Sequence, residues 1–154
     1  TEIYTLSLHD ALPISARGVM TPLAEGQSRE KRNVAFTVEI GGINICHLGD
    51  ISVPLTTRIV DDLKPVDVVL VPVGGHCTMD MDQVYQTLQD LDAKIAIPMH
   101  FKTDGINVEV DPIDNFVRRM GLDDVQPQPR LVVTSTNLGT DMRVVVMTSQ
   151  GRPR

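Results

Sequence analysis

Apolar and polar residues alternate along residues 34–40, with Val34, Phe36, Val38 and Ile40 on one parity and Ala35, Thr37 and Glu39 on the other. This period of two predicts a half-buried strand. Gly41-Gly42 suits a tight hairpin turn, and residues 43–46 read as the return strand. Upstream, residues 16–32 are polar and carry Arg17, Glu25, Arg29, Glu30, Lys31 and Arg32; they read as a loop or a damaged edge segment. After Pro54, the set Leu55, Ile59, Val60 and Leu63 predicts a short helix. Residues 66–73 are almost continuously apolar, as in a strand covered on both faces, and end at Gly74-Gly75-His76. Asp80 with Gln83 three residues later is a helix-start signature, and Met81, Val84, Leu88 and Leu91 continue at helical spacing. Residues 94–99 form another strand ending at His100. Asp111-Pro112 predicts a helix with Asp111 as N-cap and Pro112 first inside; Ile113, Phe116, Val117 and Met120 give its apolar face, and Gly121 stops it. Residues 126–129 read as a Pro-rich linker, and 131–134 and 143–148 as two closing strands. Met81 and Met120 read as core filler. The fold class is α/β.

Composition narrows the picture. The 154 residues amount to one domain, with 42% hydrophobic and 22% charged residues, ordinary values for a globular chain. The formal net charge is −6, aromatics are 3% and Trp is absent. An acidic balance without base-stacking aromatics argues against nucleic acid as partner. No apolar run has the length of a membrane span. Cys46 and Cys77 are too few for a disulfide framework and suit a reducing compartment, so a cytoplasmic location is expected. Oligomeric state is not readable from the sequence.

Chemistry concentrates where strands end. Asp50, His76 and His100 each follow a strand, spaced by 26 and 24 residues, about one strand-helix unit each. In layered α/β folds, ligands bind beyond the carboxyl ends of the strands. An Asp and one or two His on that rim are suitable ligands for a borderline metal such as zinc. Each has a plainer reading. Asp50 could be a turn residue or cap, and His100 a hydrogen-bonded, partly buried histidine. His47 could orient the Asp50 loop or fill space below it. His76 could act as an acid towards a substrate or leaving group, or be an exposed loop histidine. No GxGxxG, Walker, GxSxG or HExxH motif is present.

The stretches GGINICHLGDIS, VDVVLVPVGGHCTMD and AKIAIPMHF, in that order, resemble the C-terminal half of the metallo-β-lactamase superfamily, most closely the metal-dependent hydrolases similar to ascorbate-6-phosphate lactonase. The resemblance spans about residues 34–101. It implies half of a four-layer αβ/βα sandwich: a mixed sheet with helices on one face, truncated. It implies two divalent ions in the intact protein, zinc or manganese, with Asp50 bridging them and His100 ligating one. It also implies a metal-bound hydroxide attacking an ester, lactone or phosphoester bond of a small-molecule substrate. The family's HxHxDH motif is absent, and of the histidines only His47, His76 and His100 lie beyond residue 15. The segment TLSLHDALPI (5–14) resembles one reading frame of a DNA-sequencing adapter. Residues 1–15 are therefore expected to be non-native, with His9 and Asp10 outside any site, and residues 16–154 to be the C-terminal portion of the domain. A chain with two of the family's ligands is expected to bind metal weakly and to catalyse little. Half a sandwich is also expected to expose an apolar sheet face and to dissolve poorly.

Two alternatives remain beside this reading. One is a non-enzymatic α/β interaction module in which Asp50 and His100 are structural. The other is a redox protein using Cys46 and Cys77, which would require their Cα atoms about 4.4–6.8 Å apart.

Overall fold

The computed structural model describes residues 4–6 and 14–149. Residues 1–3 and 7–13 of the adapter-like segment, with His9 and Asp10, and residues 150–154 lie outside the described residues. Seven strands form one mixed sheet in chain order: β1 (Tyr4–Leu6), β2 (Ile14–Met20), β3 (Val34–Ile40), β4 (Ile43–His47), β5 (Val68–Pro72), β6 (Ile95–Met99) and β7 (Arg143–Val144). β1 to β4 pair antiparallel in succession, and β4 to β7 pair parallel. Three helices fill the crossovers that parallel strands require: α1 (Thr57–Leu63), α2 (Met81–Leu91) and α3 (Ile113–Arg119).

All three helices pack on one face of the sheet, as expected. Ala35, Cys46, Val69, Val71 and Ala96 point to that face and share a core with Val60 and Leu63 of α1, Val84, Leu88 and Leu91 of α2, and Phe116 of α3. Burying each large side chain here contributes roughly 1.5–3 kcal/mol relative to exposure. α2 starts where the sequence places it: Gln83 N–H donates to Asp80 Oδ1 at 2.8 Å, and Asp80 N–H to Gln83 Oε1 at 3.1 Å. Such a cap stabilises a helix by about 1 kcal/mol.

The opposite face is covered only in part. Ile43, Val68, Ile95 and Val145 form a second small core with Leu131, Val133, Leu138 and Met147. Towards β2 and β3 that cover ends. On this side Ile14 faces Ile40 and Phe36 faces Gly18, and Ile14, Phe36 and Ile40 are 41%, 50% and 37% exposed. An uncovered apolar sheet face is thus present, confined to the β2–β3 end.

Four local expectations are corrected. Residues 16–32, read as a loop or a damaged edge segment, begin in a strand that is paired on both sides: β2 pairs with β1 and, through seven residues from Ile14↔Ile40 to Met20↔Val34, with β3. Ser15, Ala16, Arg17 and Gly18 lack the apolar alternation that marks a strand, and the neighbouring strands supply the ladder instead. Of the two closing strands, 143–148 reduces to Arg143–Val144 plus one bridge between Met147 and Gln128, while 131–134 has no ladder. Leu131 and Val133 alternate because they cover the second core. The residues read as a linker, 126–129, contribute to the sheet edge: Gln128 N–H bonds Val146 O, and Thr148 N–H bonds Gln128 O. Finally, Pro112, not Asp111, stands at the N-cap of α3, without a side-chain cap bond.

Candidate functional site

The turns after β4, β5 and β6 share one edge of the sheet, because these strands are parallel neighbours. β5 lies between β4 and β6, so the ends bearing Asp50 and His100 are about two strand spacings, ~9.5 Å, apart. Direct bonds stitch the turns together: Leu48 N–H to Leu70 O, Val73 N–H to Met99 O, and Met79 N–H to Ile51 O.

The Asp50 turn is held from one side chain that the sequence reading missed. Asn33 Oδ1 accepts Asp50 N–H at 3.0 Å, and Asn33 Nδ2 donates to Leu48 O at 2.8 Å and Thr21 Oγ1 at 3.2 Å. Its backbone carbonyl accepts Thr21 N–H at 3.0 Å. Between the two clamped residues, Gly49 takes a left-handed φ of 64°, and a Cβ there would collide with Asn33 Oδ1. His47, the last residue of β4, is exposed, and its Nδ1 accepts Gly49 N–H at 3.0 Å. Asp50 is exposed, and its carboxylate makes no hydrogen bond or ion pair among the described residues. No sequence signal marks Asn33, because it lies 17 residues before Asp50 and meets it only across the sheet.

His100 sits at the end of β6 with φ 55°, in the left-handed region that side chains other than glycine rarely adopt. Strain of this kind costs on the order of 1–3 kcal/mol and persists where the surroundings dictate it. Here they do: Gly74 packs so closely on the His100 carbonyl oxygen that a Cβ would collide with it. The His100 Nδ1 is buried and has no hydrogen-bond partner among the described residues. An orphaned buried polar atom costs about 1–3 kcal/mol and marks a place where a partner belongs.

His76 is also left-handed, with φ 58°. Its Nε2 lies 3.5 Å from Asp111 Oδ1, both side chains being a little under half exposed. Asp111 is fixed by its backbone, with N–H to Gly74 O at 2.8 Å and C=O accepting Lys102 N–H at 2.9 Å. The pair opens onto a cleft of about 880 Å³ that Asn115 and Arg118 also line. Asp111, read from sequence as a cap, is thus turned towards His76 instead.

Cys46 is buried and Cys77 exposed, both as free thiols. Burial pushes the Cys46 thiol up to about 12, against a smaller opposite pull from the Arg17 charge.

Asp50 and His100 fit a divalent ion by donor chemistry: one unpartnered carboxylate and one orphaned imidazole nitrogen. They do not complete a site, since no three His, Cys, Asp or Glu side chains converge among the described residues. A catalytic zinc keeps three protein ligands.

A mixed sheet with an Asp and a His at the carboxyl ends of its parallel strands and helices on one face is the architecture of a metallo-β-lactamase half-sandwich. Residues 9–100 match the family model described as a beta-lactamase superfamily domain, and the chain belongs to that superfamily. It is 37% identical over 68 residues to a UPF0173 metal-dependent hydrolase of Carboxydothermus hydrogenoformans, a match covering 44% of this chain and 30% of that protein. It is 37% identical over 90 residues to a UPF0173 metal-dependent hydrolase of Archaeoglobus fulgidus, covering 57% and 38%. These matches span about a third of the length of each relative. Among solved structures it resembles a Thermotoga maritima protein assigned as a Zn-dependent hydrolase of the metallo-beta-lactamase superfamily, with 29% identity, a TM-score of 0.74 and coverage of 95% of this chain and 68% of that one. Igni18, a metallo hydrolase from Ignicoccus hospitalis, shares the fold at 22% identity and a TM-score of 0.57, over 94% of this chain and 54% of its own.

Proposed function

We propose that this chain is part of a metal-dependent hydrolase acting on an ester, lactone or phosphoester bond of a small molecule, in which Asp50 and His100 are metal ligands. The observation that carries the reading is the presence on one sheet edge of two potential metal ligands without protein partners: the exposed Asp50 carboxylate in its clamped turn, and the strained His100 with its buried, orphaned Nδ1. The proposal includes two zinc or manganese ions in the whole protein. A bound divalent ion supplies Lewis acidity and a water of lowered pKa. Asn33 and His47 fix the peptide that carries Asp50. His76, oriented by Asp111, stands at the mouth of the neighbouring cleft, where it can hold a proton for a leaving group. With two ligands, the chain alone is inactive. The free thiols Cys46 and Cys77 suit a reducing compartment, and the proposal places the protein in the cytoplasm.

A non-enzymatic module with structural Asp50 and His100 fits less well. A structural Asp in a turn uses its carboxylate, whereas Asp50 engages Asn33 through its backbone only.

The test is to recover the coding sequence upstream of residue 16 from the source DNA and to assay the whole protein on lactones and phosphoesters. Chelator-sensitive hydrolysis that falls at least about a hundredfold in Asp50→Ala and in His100→Ala is the expected result, since even residues behind the ligands cost 10–100-fold. Undiminished hydrolysis in both variants would overturn the proposal.

A further inference from the structure

A group of uncompensated cations lies on the helix side of the sheet, on a cavity whose lining does not include Asp50, His76 or His100. A cavity of about 580 Å³ opens between β2 and α1 and is lined by Arg17, Arg32 and Arg58. These come from three separate parts of the chain: the middle of β2, the segment before β3, and the first turn of α1. Among the described residues none of the three forms an ion pair. Asp62 is the single carboxylate on the lining; it lies one turn along α1 from Arg58, so it can offset one charge and leaves two. Arg32 has only a weak contact, from its guanidinium to Met20 Sδ at 3.5 Å. Arg17 is half buried beside the helices, where its charge reaches the Cys46 thiol. The chain as a whole carries −6, so three cations gathered on one concavity run against its average. Like charges held together without counter-ions repel, and the arrangement is relieved when an anion sits among them. Guanidinium forks bind carboxylate and phosphate oxygens in pairs. Val19 and Ile59 supply an apolar wall, and the volume falls within the roughly 300–1,000 Å³ of small-molecule sites.

We propose that this cavity is a binding site for a small organic oxyanion, held by Arg17, Arg32 and Arg58, with Asp50, His76 and His100 outside its lining. The inference does not depend on Asp50 or His100 and stands or falls without them.

Equilibrium dialysis of the full chain against radiolabelled inorganic phosphate at low ionic strength tests it. Saturable one-site retention, competed by unlabelled phosphate, is expected. Arg32→Gln and Arg58→Gln should each weaken it roughly tenfold, as loss of a charged hydrogen bond does, while Arg130→Gln, on the surface elsewhere, leaves it unchanged. Matching circular dichroism confirms that the variants fold, so the half-buried Arg17 need not be altered. Competition by pyrophosphate and succinate distinguishes a phosphate ligand from a carboxylate one. Retention that is absent, or equally strong in the Arg32→Gln/Arg58→Gln double variant, overturns the proposal.

Discussion

Asn33 makes three side-chain hydrogen bonds at once, and two of them bracket the peptide that presents Asp50. Replacing it with Ala strands Leu48 O, which belongs to a fully buried residue, so a loss of about 1–3 kcal/mol is expected in urea denaturation. Asn33→Asp keeps the acceptor for Asp50 N–H but sets a carboxylate oxygen, an acceptor only, against Leu48 O, and should be no more stable than Asn33→Ala. Equal stability of all three would show that the brace carries no load. Cys46 makes a second residue-scale prediction. Its thiol is raised from an ordinary 9.0 to about 12 by burial. The folded state therefore holds the proton more tightly than the unfolded state. Its contribution is intact below pH 9 and erodes between pH 9 and 12, at about 1.4 kcal/mol per pH unit. The urea midpoint should fall more steeply from pH 8.5 to 10.5 in wild type than in Cys46→Ala; identical slopes would contradict the burial.

At the scale of elements, the sequence announces what has local causes and hides what neighbours impose. The alternation at 34–40, the Gly41-Gly42 turn and the Asp80–Gln83 cap are self-contained, and each appears where its residues place it. The Asp50, His76 and His100 turns were legible for a related reason: apolar runs separated by helix-length segments force parallel order, which brings the strand ends to one edge. β2 is different, since residues 15–18 carry no strand pattern and form one because β3 offers a free ladder. The left-handed φ of His76 and His100 has no sequence signature either, as it follows from packing of one turn on another. Nor could the Asn33 clamp or the Asp111–His76 contact be read, because each joins residues brought together only by the sheet and its crossovers. The exposed face of β2 and β3 yields the element-scale prediction. With Phe36 and Ile40 open to solvent, the chain should self-associate with rising concentration, and Phe36→Ser/Ile40→Thr should shift sedimentation towards monomer. A wild-type chain that stays monomeric at high concentration, with a sharp thermal transition, would contradict this reading of the face.

At the scale of the whole molecule, one sheet carries two groups of chemically active side chains, and they share no lining residue. Its carboxyl edge gathers Asp50, His76 and His100, and the groove between β2 and α1 gathers three arginines. The superfamily membership rests on residues 9–100, the span that contains β2 to β6 and both proposed ligands. The relatives are named metal-dependent hydrolases, yet no third metal-binding side chain joins Asp50 and His100 among the described residues. The central claim is therefore that these two residues share one ion. Manganese titration of the full chain, followed by the loss of the free-ion electron paramagnetic resonance signal, tests it most directly. The account predicts weak, saturable binding of one ion that disappears in Asp50→Ala and in His100→Ala and persists in His76→Ala. Binding that survives removal of both Asp50 and His100, or no binding by the wild-type chain at millimolar manganese, would contradict it.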